Sequence, residues 1–140
     1  MTYVPPDNHV VRHVKSTLLI RNSADEVVGC FPQAFELRVD EASLSVSWLE
    51  YYDGSRDQRL RQVKQKSDRE IRRKDALAVG NVGRMLDVCA HFGVKPRVVH
   101  EPTDRNPAHS AIRQFPRDNL ELLALIADLF SGDLNLAASI

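Results

Sequence analysis

The chain is poor in the parts from which several familiar sites are assembled. Its two cysteines, Cys30 and Cys89, lie too far apart in sequence for a CxxC motif, which excludes a thioredoxin-type redox pair. Two unpaired thiols suit a cytoplasmic setting instead. No apolar run approaches the ~20 residues of a membrane helix, so no membrane partner is expected. The opening "MTYVPPDNHV" has no basic flank followed by an apolar stretch, and no secretory signal is read there. Six glycines are present, and none builds a GxGxxG fingerprint, a P-loop or a GxSxG nucleophile elbow. His100, Glu101, Asp104 and His109 are dense in ligand types, but no helix presents them as a standard zinc pair. Neither metal nor cofactor is expected.

Excess charge of one sign is also missing: 19 Lys and Arg balance 19 Asp and Glu. The distribution is uneven, however. "SRDQRLRQVKQKSDREIRRKD" (55–75) carries nine basic and four acidic residues, a net +5, leaving −5 on the rest. One segment is basic and the body acidic. With 140 residues, 43% hydrophobic and 27% charged, the composition is that of one globular domain with a substantial core.

The pattern predicts a single-domain α+β fold with a mixed sheet. After an extended lead-in (1–8), strands are read in "HVVRHV" (9–14), "EVVGCF" (26–31), "QAFELRV" (33–39) and "SLSVSWLEY" (43–51), the last with Leu44, Val46 and Trp48 on one face and Ser45 and Ser47 on the solvent face. These form an N-terminal β-meander. Residues 55–75, free of Gly and Pro, read as one exposed basic helix with a thin stripe of Leu60, Val63 and Ile71. A C-terminal β-α-β-β-α half follows. "ALAVG" is a strand, Asn81 an N-cap, Val82, Met85, Leu86, Cys89 and Phe92 a helical stripe, and Gly93 its C-cap. "KPRVVHEP" (95–102) completes a crossover unit expected to pair in parallel. "HSAIRQF" (109–115) is a further strand, and Asp118 with Glu121 a capping box for the last helix, "NLELLALIADLF". That helix is apolar around much of its circumference, so Leu122, Leu125 and Leu129 are expected in the core or at an interface with a protein partner or a second copy. Residues 133–140 are expected to fray.

His109 shares its strand face with Ala111, Arg113 and Phe115. The plain reading is a strand-end histidine capping a loop carbonyl; the functional one is a general acid or base with Arg113 as a phosphate contact. His9 and His13 share a face of the first strand, opposite Arg12. If that strand lies near 109–113, Arg12, His13, His109 and Arg113 would converge as a phosphate- or nucleotide-directed catalytic set. The second candidate surface is the basic helix, with Arg56, Arg59, Lys64, Lys66, Arg69, Arg72, Arg73 and Lys74 available to nucleic acid or a partner. No aromatic residues interleave there to stack bases.

In spacing, "VGNVGRMLDVCAHFGVKPRVV" resembles the GxxG core of the KH family of single-stranded nucleic-acid binders, which implies backbone contact at Gly80–Gly83. Across most of the chain, "HVVRHV", "AFELR", "LSVSWLE", "AVGNVG", "VVHEP" and "NPAHSAI" resemble the recurrent landmarks of a family of small bacterial proteins. That resemblance implies no activity; it marks the "NPAH" stretch, and so His109. The absence of a complete catalytic set puts a non-catalytic binding protein, acting through protein partners or self-association, first among the expectations. A nucleic-acid-binding accessory protein comes second and the phosphate- or nucleotide-directed enzyme third.

Overall fold

A computed structural model describes residues 1–140. Its centre is a six-stranded sheet of β1 (His9–Val14), β4 (Ser43–Trp48), β5 (Ala76–Asn81), β6 (Arg97–His100), β7 (His109–Arg113) and β8 (Leu134–Leu136), in the order β6-β7-β4-β1-β5-β8. β2 (Leu19–Arg21) and β3 (Val27–Cys30) form a separate hairpin. The helices are α1 (Arg56–Gln65), α2 (Val82–Ala90) and α3 (Leu120–Ser131). The fold is α+β, as the sequence pattern predicts.

The sheet differs from expectation in its pairing. Every ladder is antiparallel, where a mixed sheet was expected. β5 and β6 do run in the same direction, but β1, β4 and β7 stand between them. β1 fills the place beside β5 through a six-residue register from His9↔Asn81 to Val14↔Ala76, and α2 carries the chain across to the far edge.

The meander is also absent. Asn22 closes a tight turn by accepting the N–H groups of Ala24 and Glu26, so β2 and β3 pair with each other away from the main sheet. Pro32 then starts a short 3-10 turn, Pro32–Phe35, that buries Ala34 and Phe35 instead of extending a strand.

Alternation assigns the two faces. Val10, Val14, Leu44, Val46, Ala76, Ala78, Val98 and Ile112 meet α2 and α3 in the main core. Gly80 is required there, because a Cβ would lie 2.4 Å from the Phe130 ring. The opposite face carries Val11, Leu77 and Val79 against Leu60 and Val63 of α1. The helices therefore lie on both faces, not one.

Three boundaries are corrected. The basic helix ends at Gln65, not near residue 74. Beyond it, Ser67 Oγ accepts the Arg69 N–H and Asp75 accepts the Arg72 N–H at 2.9 Å, local bonds that compete with helical ones. The C-terminal tail is ordered, with β8 paired to β5 and Lys64 Nζ donating to the Ala137 and Ile140 carbonyls. α3 is capped by Asn119, which accepts the Leu122 N–H, while Asp118 adopts φ 55° and forms no capping box. Gln114 is likewise left-handed (φ 55°), so Phe115 swings off the His109 face into the main core.

Candidate functional site: a cleft where the sheet splits

β1 and β4 are paired only at Val10↔Trp48 and Val11↔Ser47. Beyond that point β1 follows β5 and β4 follows β7, and the sheet opens between them. The opening is a cleft of about 320 Å³, within the range of small-molecule sites. Residues from both faces line it. Val11, His13, Ser45, Ser47 and His109 reach it from the α1 side, and Arg12, Val46 and Ala34 from the other.

Arg12 occupies this gap. It donates Nε–H to the Ala34 carbonyl at 2.9 Å and Nη1–H to the Ser45 carbonyl at 2.8 Å. Its Nη2 makes no bond within the chain, and no carboxylate pairs with the guanidinium. Burial pushes its pKa down to about 10, opposed by the charge of Glu41, so it is positive at neutral pH. A half-buried planar cation held by neutral carbonyls, with donors to spare, is suited to an oxyanion such as phosphate that accepts two hydrogen bonds.

Two histidines share the cleft, each fixed by one ring nitrogen. His13 donates Nε2–H to Asp75 Oδ2 at 2.8 Å, leaving Nδ1 free. Asp75, 4% exposed, also accepts the N–H groups of Ser16 and Arg72. Burial alone would raise its carboxyl pKa; the bonds from His13, Arg72 and Ser16 outweigh it and hold the group below its ordinary value.

His109 donates Nδ1–H to the Glu101 carbonyl at 2.7 Å, which places the neutral ring's lone pair on Nε2. The plain and functional readings of this residue therefore coexist: one nitrogen caps a loop carbonyl and the ring lines the cleft. Across from it, Ser47 is its register partner on β4, buried and receiving Asn106 Nδ2–H at 3.2 Å. Asn106 is itself fixed by accepting the Ala108 N–H.

Arg12, His13 and His109 all line this cleft, with β4 standing between β1 and β7. Arg113 does not line the cleft; its guanidinium is paired with the Glu101 carboxylate, behind the carbonyl that holds His109. His9 is also elsewhere, bonded to Glu50 at 2.6 Å. Sequence reasoning missed Ser47, which it placed on the solvent face, and also Asp75, Asn106, Lys15 and Arg38. The lone acid of "RRKDALAV", directly before a fully apolar strand, was the available signal for Asp75.

The basic residues divide. Arg56 pairs with Asp133, Arg59 donates to the Tyr52 carbonyl, and Lys64 holds the C-terminal carbonyls, so these three brace α1. Lys66, Arg69, Arg72, Arg73 and Lys74 are exposed on the loop after α1, and Arg69 reaches the cleft rim with Lys15 and Arg38.

Other candidates are occupied. In "GNVG", the Val82 and Gly83 N–H groups donate to Asn8 and Pro6 carbonyls, and Asn81 Oδ1 accepts the Arg84 N–H, so these amides are not free for phosphate. Burial pushes the Cys89 thiol up to about 11 and also raises Cys30, which disfavours either thiolate as a nucleophile. On α3, Leu122 is 0% exposed and belongs to the core, whereas Leu125 is 42% exposed; the interface expected through Leu122 is not available at that residue. No helix is long and apolar enough to cross a membrane. No group of three or more His, Cys, Asp or Glu side chains is placed to hold a metal ion. No family model, curated protein or solved structure matches the chain.

Proposed function

We propose that the chain is a phosphate- or nucleotide-directed enzyme whose site is the cleft between β1 and β4. The observation that carries this reading is Arg12: a cation set into the split of the sheet, with no carboxylate in ion-pair contact, beside two imidazoles each held by one ring nitrogen. Arg12 receives the phosphate oxygens on Nη2. Lys15 and Arg69 add positive charge at the rim, where Arg38 is paired with Glu41 and Glu36 and Asp68 supply the acids; with Arg12 the lining keeps a small positive excess that favours anions. His13 and His109 act as the proton-transfer pair, and their hydrogen bonds to Asp75 and the Glu101 carbonyl fix ring orientation as general acid–base catalysis requires. Ser47 and Asn106 supply neutral hydrogen bonds to the uncharged part of the ligand. The cleft volume of about 320 Å³ has room for more than bare phosphate, which favours a nucleotide.

This reading moves ahead of a purely non-catalytic partner-binding role because the convergent groups are polar and inward-facing. The test is calorimetric titration with inorganic phosphate and a panel of mono- and dinucleotides, comparing the native chain with Arg12→Gln. A nucleotide that binds the native chain and at least ~10-fold more weakly to the variant, as loss of a charge-assisted pair would give, supports the reading. No binding by any member, or equal binding to both proteins, contradicts it.

A further inference from the structure

We propose that the natural ligand of the cleft is one nucleotide of a single-stranded nucleic acid, with the adjoining phosphates running over the basic loop 66–75. This rests on the nucleotide reading of the cleft and extends it to a polymeric substrate. The loop borders the site directly: Ser67, Asp68 and Arg69 are part of the cleft wall. Its position is fixed at both ends. Asp68 accepts the Thr103 hydroxyl at 2.8 Å, tying the loop to the segment that carries Asn106 and His109. Asp75 binds the Arg72 and Ser16 N–H groups and His13, tying it to β1.

Those bonds engage two of the loop's three acids, Asp75 buried and Asp68 exposed but bonded to the Thr103 hydroxyl. The outward surface carries Lys66, Arg69, Arg72, Arg73 and Lys74 against Asp68 and Glu70, and none of the five cations forms an ion pair within the chain. Arg105, on the facing loop, is exposed too. Ile71, the loop's apolar residue, packs against the α1-side cluster, so the surface offers no apolar anchor for a protein partner. A basic track leading from a nucleotide-sized cleft is complementary to a chain of phosphates. A duplex would not present an unstacked nucleotide to the gap, whereas a single strand does. No aromatic residue lies on the loop, so recognition beyond the cleft reads backbone and not base sequence.

The experiment measures binding of adenosine 5′-monophosphate by calorimetry. In parallel, fluorescence anisotropy follows labelled single-stranded oligoadenylates of about ten nucleotides, a common single-strand site size. Both are applied to the native chain, to Arg72→Gln/Arg73→Gln/Lys74→Gln and to Arg12→Gln. The oligomer is expected to bind on the order of 10–100-fold more tightly than the monomer at low salt, with log affinity falling by about 0.7 per contacted phosphate for each unit of log salt. The triple variant is expected to bring the oligomer to monomer affinity while leaving the monomer within about threefold. Arg12→Gln is expected to weaken both. An oligomer no tighter than a monomer that itself binds overturns the polymer proposal and leaves the cleft reading standing. Oligomer binding insensitive to Arg12→Gln, or no binding of either ligand, overturns both. A polyglutamate chain binding as tightly as the oligomer overturns the nucleic-acid assignment in favour of an acidic protein.

Discussion

His13 and Asp75 form a hydrogen-bonded pair at 2.8 Å in which the acid is almost fully buried and the imidazole faces the cleft. Asp75 sits one residue before β5 and His13 opposite Leu77 of that strand, so the pair joins the loop after α1 to the edge of the split. Its three donors, from His13, Ser16 and Arg72, require an acceptor at every position.

Asp75→Asn replaces one acceptor oxygen by an NH2 group that faces donors. The expected loss is about 2–4 kcal/mol of unfolding free energy, the cost of leaving buried hydrogen bonds to a charged group unmade. Urea denaturation at neutral pH measures it; a change below about 0.5 kcal/mol, the size of an ordinary surface substitution, contradicts the network.

The same carboxylate gives a pH dependence. Its folded pKa lies below the reference value of 3.8, so the unfolded chain binds the proton more readily. The stabilisation is therefore present above the unfolded pKa and is lost as pH falls through the folded one. Unfolding free energy of the native chain is expected to drop below about pH 4, and more steeply than that of Asp75→Asn. Parallel acid profiles of the two proteins contradict the assignment.

On α3 the two leucines of one apparent stripe should behave differently. Leu122→Ala, in the core, is expected to cost about 2–5 kcal/mol, while Leu125→Ala, 42% exposed, stays within about 0.5 kcal/mol. Thermal melts decide. A large loss at Leu125, dependent on protein concentration, would instead show a self-association surface there.

Gly80→Ala places a methyl against the Phe130 ring, 2.4 Å from its nearest atom. The overpacking is expected to cost about 1–3 kcal/mol or more. Enlarging the space with Phe130→Leu in the same chain should recover part of that loss; two independent penalties that simply add would contradict the contact.

Much of this was legible because it is local. β1, β5 and the Asn81 cap are set by alternation and side-chain chemistry within a few residues and stand where the sequence places them, whereas β7 stops at Arg113, two residues short of the expected strand 109–115. Pairing was not legible, because an apolar strand such as "ALAV" carries no mark of its neighbour. The parallel crossover therefore failed although both of its strands exist. The basic helix was overextended because propensity alone does not register that Asp75 captures the Arg72 N–H. Arg12, His13 and His109 could be named as a set, but that they line one cleft depends on the strands parting after Val11 on β1 and before Ser47 on β4. The serines of "SLSVSW" read as solvent-facing, which holds for exposed Ser45, whereas Ser47 is buried and its hydroxyl accepts from Asn106 of a distant loop.

Imidazole nitrogen NMR of the five histidines, recorded while the tightest-binding nucleotide of the calorimetric panel is added, tests whether His13 and His109 face one ligand-binding cleft. The resonances of His13 and His109 should move together with a single saturation curve, while exposed His91, bonded to Asp87 on α2, stays in place. Saturable binding that leaves both His13 and His109 unshifted would contradict the account.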